Sequence, residues 1–102
     1  MSEYSSEDVL QYFRTFVINS PAALENYLSI LRREWHYEDW GFCRSGTSLT
    51  LHTGGWSGNE NIIEALEDNF GFWIFWEASR RGGHYDFVLP GPEYWTPKAR
   101  RP

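Results

Sequence analysis

The stretch Leu49-Thr50-Leu51-His52-Thr53-Gly54-Gly55-Trp56-Ser57-Gly58-Asn59-Glu60 decides the fold, because an alternating strand runs through glycines straight into a helix. Leu49 and Leu51 face one side of the predicted strand, and Thr50 and His52 face the other. One side is therefore suited to a core and the other to solvent or a ligand. A strand that leads through a glycine turn into a helix predicts a mixed α and β fold.

The helix after this loop has its own start signal. Ser57 and Glu60 have the spacing of a capping box, in which the hydroxyl and the carboxylate each accept a backbone N–H at the helix start. The helix is predicted from about residue 58 to residue 69, ending at Asn69 or Gly71. Its buried stripe is predicted to consist of Ile62, Ile63 and Leu66.

Two helices are predicted upstream of the loop. The first spans roughly residues 6 to 18, and the second begins at Pro21 with Ser20 as its N-cap, because proline lacks the N–H that the first helical position leaves unbonded. The apolar stripe of the first helix is Val9, Leu10, Phe13, Phe16 and Val17. That of the second is Leu24, Tyr27, Leu28 and Leu31, with Trp35 as a candidate extension.

Two hairpins complete the pattern. Residues 35–44 and 48–53 form the first, around a turn at residues 45–47. Residues 72–79 and 84–89 form the second, with a tip centred on Arg81-Gly82 that would pair Ser79 with His84 and Glu77 with Asp86. A crossover through the third helix lets the strands on either side of it lie in one sheet, with a side-by-side parallel arrangement as one option.

The sequence thus predicts an α+β fold in the order α-α-β-β-α-β-β, with a four-stranded, mostly antiparallel sheet and helices packed on one face. We assign residues 1–95 to a single compact domain and residues 96–102 to an extended basic C-terminal tail. No internal repeat or second domain is evident in the 102 residues.

Charge and cysteine usage limit the classes of function. Residues 1–95 hold all 14 acidic residues but only six of the nine basic ones, which leaves this part at −8. Such a body disfavours direct nucleic-acid binding, which depends on clustered Lys and Arg, and favours a partner protein with a basic surface. The lone Cys43 forms no internal disulfide, and no apolar run approaches about 18 residues, so we expect a cytoplasmic protein without a membrane span. The sequence leaves a homodimer as an option.

One sheet face is predicted to mix aromatic and ionisable side chains. Two histidines and two carboxylates could in principle hold a metal, but no ligand spacing backs a metal site, and we assign neither a cofactor nor a catalytic residue. The face is predicted to carry Thr50, His52, Trp73, Phe75, Glu77, His84 and Asp86. A ligand-binding or catalytic alternative uses this face and the glycine loop through His52, Gly54, Gly55, Trp56, Glu77, Arg80, Arg81 and His84.

A second candidate site lies before the first hairpin. Trp and Tyr are efficient contact residues, and neighbouring acids suit a basic partner. The predicted partner-binding patch is Trp35, Tyr37, Glu38, Asp39 and Trp40. The alternative interpretation places these aromatic side chains in the core.

The run from Leu49 to Glu60, together with Arg81-Gly82-Gly83-His84-Tyr85, resembles a group of small, uncharacterised proteins of tailed phages and prophages. The resemblance covers Leu49 to Val88 and transfers no catalytic residue. It implies a phage or mobile-element protein that acts by binding a host or phage protein. An inhibitor of a host defence system, of the anti-CRISPR or a similar anti-defence type, is the function that this context suggests.

Overall fold

The computed structural model describes residues 7–36 and 41–95. The helices are α1 (Glu7–Thr15), α2 (Pro21–Glu34), α3 (Ser57–Glu67) and the short α4 (Phe70–Trp73). The strands are β1 (Phe42–Ser45), β2 (Ser48–His52), β3 (Trp76–Arg80) and β4 (His84–Val88), followed by a 3₁₀ helix at Pro92–Trp95. The predicted α+β fold and its element order are confirmed, with α4 as an addition. The predicted tail, residues 96–102, lies outside the described residues.

The four strands form one antiparallel sheet in the order β1-β2-β4-β3. Strands β2 and β3 run in the same direction, but β4 lies between them, so the option of placing them side by side was wrong. The reason is that β4 pairs with β3 through their hairpin and offers its other edge to β2.

The pairing of β2 with β4 separates a core face from an outer face. Leu49 lies opposite Phe87 and Leu51 lies opposite Tyr85, and the first three of these side chains are fully buried under the helices. Side chains two positions apart share a face of a strand, so the alternation predicted for β2 is confirmed. The helices contribute to the core Leu10, Phe13, Leu24, Tyr27, Leu28, Leu31, Ile62, Ile63, Ala65, Leu66 and Phe72.

The start of α2 is as predicted, whereas α1 ends earlier than predicted. Ser20 caps α2 as expected, since its hydroxyl accepts the backbone N–H of Ala23 at 3.1 Å. Helix α1 ends at Thr15 instead of residue 18, and Val17 is 69% exposed instead of buried. The backbone at the end of α1 is hydrogen-bonded to a distant residue, because the Asn69 side-chain amide donates to the carbonyls of Phe13 and Phe16 at 2.9 Å each.

The predicted capping box at the start of α3 was wrong. Trp56 occupies the N-cap position, and its carbonyl accepts the backbone N–H of Glu60 at 3.0 Å. Ser57 is consequently the first residue inside the helix rather than its cap. At the other end Asp68 is the C-cap of α3, and Asn69 is the N-cap of the next helix, α4.

The second hairpin is shorter than predicted. Residues 70–73 are helical, and β3 begins only at Trp76. The predicted register was wrong near the tip, because Arg80 rather than Ser79 lies opposite His84, and Ala78 rather than Glu77 lies opposite Asp86. A bulge between Trp76 and Ala78 then places Trp76 opposite Phe87. The extra residue, Glu77, has no partner in the register, as expected at a bulge.

We expect Asn69→Ala to lower the free energy of unfolding by about 1–3 kcal/mol, because it strips hydrogen-bond donors from two carbonyls at a buried site. Asn26→Ala, at an exposed position of α2, is the matched control and should change it by less than about 0.5 kcal/mol. Denaturant unfolding of both variants measures the difference. Equal changes in the free energy of unfolding of the two variants would show that the hydrogen bonds of the Asn69 side chain do not stabilise the fold.

Candidate functional site

The outer face of the sheet brings together four polar side chains from its two central strands. Thr50 lies opposite Asp86 and His52 lies opposite His84, and all four are half-buried. The sequence prediction that these residues share one face is therefore correct. A groove of about 310 Å³ opens beside them, with Thr50, Asp86 and Arg80 in its lining.

These side chains form a continuous hydrogen-bonded chain. The Thr50 hydroxyl donates to Asp86 Oδ1 at 2.9 Å, and His84 Nε2 lies 3.0 Å from the same oxygen. The Nδ1 atoms of His84 and His52 are 3.2 Å apart. An ionised Asp86 can only accept hydrogen bonds, so we assign the His84 proton to Nε2. His84 Nδ1 is then free of a proton and accepts a hydrogen bond from His52 Nδ1–H.

The surroundings lower the pKa values of Asp86 and His52. The hydrogen bond from Thr50 is the main cause that lowers the pKa of Asp86, against the opposing effect of burial, and His84 and Arg80 lower it further. Burial is the main cause that lowers the pKa of His52, and the neighbouring His84 adds to the effect while Asp86 opposes it. The two shifts favour an ionised Asp86 and a neutral His52.

Two of the three other residues predicted for this face lie elsewhere. Phe75 is buried in the core, and Trp73 belongs to α4 and packs edge-on against the core residue Phe87, with ring centroids 5.4 Å apart. Glu77 is exposed in the bulge and is not paired with Asp86, but it lines the groove beside Asp86. The prediction was wrong for Phe75 and Trp73 because it extended β3 through a helical turn.

The two arginines of the ligand-site hypothesis, Arg80 and Arg81, lie in different surroundings near the hairpin tip. Arg80 extends over the outer face, where its guanidinium lies 3.7 Å from Asp86 Oδ2. Arg81 is exposed in the tip itself. Within residues 7–36 and 41–95, no three His, Cys, Asp or Glu side chains form a group that could hold a metal ion.

The two glycine segments meet in space at Thr53 and Gly83. The Thr53 backbone N–H donates to the Gly83 carbonyl at 2.9 Å, and a Cβ added to Gly83, whose φ is 76°, would collide with the Thr53 hydroxyl. Gly54 and Gly55 also have positive φ and turn the chain toward α3. The ring of the next residue, Trp56, stacks on His36 with centroids 5.9 Å apart.

The predicted partner-binding patch is not supported at its first residue. Trp35 is only 3% exposed, and its indole N–H donates to the His52 carbonyl at 3.1 Å. It is a core residue, because it closes the space between the end of α2 and β2. The rest of the patch, Tyr37, Glu38, Asp39 and Trp40, lies outside the described residues.

A different surface combines acidic and aromatic side chains where α3 and α4 meet the β3 edge of the sheet. Glu60, Glu64 and Glu67 are exposed at i, i+4 and i+7 along α3, so they share one helix face. The Tyr85 ring lies close enough to Glu67 and Glu60 for both carboxylates to raise its pKa, after burial as the main cause. We call this surface the acidic–aromatic edge, and it comprises Glu60, Glu64, Glu67, Phe70, Trp73, Ile74, Trp76 and Tyr85.

Sequence reasoning missed this edge, although part of its signal was available. The acidic spacing on α3 is visible in the sequence once the helix is predicted. Phe70 and Ile74 have helical i, i+4 spacing, but the aromatic composition of the segment favoured a strand that began at residue 72 and left Phe70 outside it.

The chain matches no model of a known protein family, and neither characterised proteins nor solved structures give a match. In the described part of the chain, no helix combines the length and the apolar character that crossing a bilayer requires. The function must therefore be argued from the two surfaces described above.

The histidine pair predicts a loss of stability at mildly acidic pH. The pKa of His52 is lowered from 6.5 in the folded protein, so the unfolded chain takes up the proton first. The resulting stability is present above about pH 6.5 and is lost as the pH falls through the lower folded pKa. The lowered pKa of Asp86 keeps its own titration below this window.

Thermal unfolding between about pH 7.5 and pH 5 measures this effect, because histidine is the side chain that ordinarily titrates there. We expect His52→Gln to flatten the decline, while His36→Gln, which removes the histidine stacked on Trp56, should leave the decline as in the unaltered protein. A decline that persists unchanged in His52→Gln would contradict the assignment.

Proposed function

We propose that this protein acts by binding another protein, and that the acidic–aromatic edge is the contact surface. The observation that carries the proposal is the exposure of three large apolar side chains within residues 70–76. Phe70 is 78% exposed, Ile74 is 50% exposed and Trp76 is 43% exposed. A cluster of exposed large apolar residues is typical of a protein-binding surface, and aromatic residues often dominate the binding energy there.

The charge beside this apolar cluster supports a basic partner. Like charges spaced four residues apart on a helix destabilise it by about 0.2–0.5 kcal/mol per pair. Glu60 and Glu64 have this spacing, and Glu67 follows three residues after Glu64 on the same helix face. No salt bridge among the described residues joins any of the three to a Lys, Arg or His. A partner that presents Lys or Arg would relieve the repulsion and would be steered toward this surface.

The resemblance to small phage proteins extends the proposal to a biological setting. We take the partner to be a host or phage protein in the host cytosol, with a defence complex of the CRISPR or a similar type as the leading candidate. An inhibitor that covers a basic surface needs complementary shape and charge but no chemistry of its own. This extension rests on the resemblance alone.

A second candidate function uses the outer face instead. The chain of hydrogen bonds from Asp86 through His84 to His52 favours a small ligand-binding or catalytic site, because a carboxylate that fixes one histidine tautomer is a common way to prepare a base. The groove beside Asp86 supplies a place for a small molecule.

Site-specific photo-crosslinking tests the leading proposal. Benzoylphenylalanine would replace Ile74 on the acidic–aromatic edge or, in the control, Val88 on the outer face, since both side chains are 50% exposed. Expressed in phage-susceptible bacteria, the Ile74 form should yield one discrete adduct that the Val88 form does not. Adducts of equal yield at both positions, or none at Ile74, would rule out the edge as the contact surface.

The purified partner then provides a quantitative measurement. We expect Ile74→Asp to weaken binding by at least about tenfold, equivalent to about 1.4 kcal/mol, and Val88→Asp to change it little. Isothermal titration calorimetry with both variants separates the two faces.

The second candidate makes the opposite prediction. The double variant His52→Ala and His84→Ala removes the hydrogen-bonded chain on the outer face but leaves the acidic–aromatic edge unaltered. Partner binding should persist in this variant if the leading proposal holds. If a biological activity of the protein is instead lost in it and retained in Ile74→Asp, the outer face is the working site.

A further inference from the structure

Three aromatic rings meet at the corner between the helical layer and the β3 edge of the sheet. The rings of Trp73 and Trp76 are nearly parallel, with an interplanar angle of 11° and centroids 6.0 Å apart. The Tyr85 ring stands at 64° to Trp73, with centroids 6.3 Å apart. Trp76 is 43% exposed and the other two rings are half-buried, so solvent reaches the corner.

The rings are held in place by contacts on their protected sides. The indole N–H of Trp76 donates to the Ser79 hydroxyl at 2.8 Å, although both residues belong to an exposed edge strand. Trp73 rests edge-on against the fully buried Phe87. Side chains that are ordered before binding lose less conformational entropy when a partner arrives.

Negative charge lies near these rings, and no salt bridge within residues 7–36 and 41–95 joins Glu60 or Glu67 to a basic side chain. Glu67 and Glu60 lie within electrostatic reach of Tyr85, one of the three rings, and both are exposed on the same face of α3. The guanidinium of Arg80, the basic group nearest in the chain to Trp76, interacts with Asp86 on the outer face instead. Trp and Tyr rings attract an organic cation through the ring quadrupole, and a carboxylate within electrostatic reach adds the attraction of direct charge.

We propose that Trp73, Trp76 and Tyr85, with Glu67 as the counter-charge, form a recess for a cationic side chain of the partner protein, an arginine guanidinium in preference to a lysine ammonium. Arginine is favoured because its planar group stacks on aromatic faces while its N–H groups reach a carboxylate, and because it loses less hydration than an ammonium group. This inference rests on the proposed function, since it names the chemistry that the acidic–aromatic edge recognises.

The probe for the recess is N-acetyl-arginine methylamide, with N-acetyl-citrulline methylamide as a neutral control of nearly the same shape. Each would be titrated into the nitrogen-15-labelled full chain while the indole N–H resonances are followed. Arginine amide should shift the Trp73 and Trp76 resonances with a dissociation constant on the order of 1–50 mM, as expected for a single weak contact. Citrulline amide should shift them several-fold less.

Variants of the chain decide which residues form the recess. Glu67→Gln should weaken arginine amide binding by about threefold or more, because it removes the counter-charge and keeps the packing. Trp76→Ala should abolish binding, and Ser79→Ala should weaken it, since the Trp76 ring loses its hydrogen bond. Trp56→Phe, in the glycine loop, is the control and should bind like the unaltered chain.

Several outcomes would overturn the inference. Equal shifts with arginine amide and citrulline amide would remove the role of charge, and shifts located at other indoles would remove the site. Undiminished binding by Glu67→Gln would remove its role as counter-charge. Tighter binding of N-acetyl-lysine methylamide would overturn the preference for arginine.

The failure of this inference is distinguishable from the failure of the proposed function. If a partner crosslinks at Ile74 but binds Glu67→Gln and Trp76→Ala as well as the unaltered chain, the surface stands and the recess does not. If arginine amide binds at the recess but no partner crosslinks at Ile74, the recess stands and the protein-binding proposal does not.

Discussion

The antiparallel pairing of β2 with β4 is the constraint on which the rest of this structure depends. It joins two hairpins that are separated in the chain by α3 and α4, and it places Leu49 opposite Phe87 and Thr50 opposite Asp86. The first pair lies in the core, and the second lies on the outer face. A shift of this pairing by one residue would exchange the two faces, exposing leucines and burying histidines.

The same pairing organises the polar chemistry of the protein. His52 and His84 interact only because they occupy opposite positions in the ladder, and the strand period of two places Asp86 beside His84 on the same face. Next to this pair, the backbone hydrogen bond between Thr53 and Gly83 ends the pairing of the strands where the loop toward α3 begins. The outer face is therefore a product of register rather than of a local motif.

The acidic–aromatic edge has a different origin. The bulge between Trp76 and Ala78 allows Trp76 to lie opposite Phe87, toward the helices, although Ala78 faces the other way opposite Asp86. The short helix α4 brings Trp73 to the same corner. This surface lies at the rim of the core rather than across the sheet, so the two candidate sites of the protein can be altered separately. Separate variants can consequently assign function to one face or to the other.

Sequence reasoning predicted the local elements where one pattern dominated. The Ser20-Pro21 start of α2, its apolar stripe and the alternation of β2 follow from hydrogen bonding and side-chain period within a few residues, and these were correct. It also predicted that Thr50, His52, His84 and Asp86 share a face, since hairpin alternation is sufficient for that inference. The extra helical turn at residues 70–73 escaped prediction because phenylalanine, tryptophan and isoleucine favour strands and reveal little about a single turn of helix.

The sequence by itself determined the element order, the core stripes of α2, α3 and β2 and the acidic character of the body, because these are properties of neighbouring residues and of composition. The tertiary structure alone decided the strand order, the bulge at Glu77, the burial of Trp35 and the contact of the Trp73 ring with Tyr85. The physical reason is that each of these depends on packing between segments far apart in the chain. Local propensity contributes too little free energy to determine such packing.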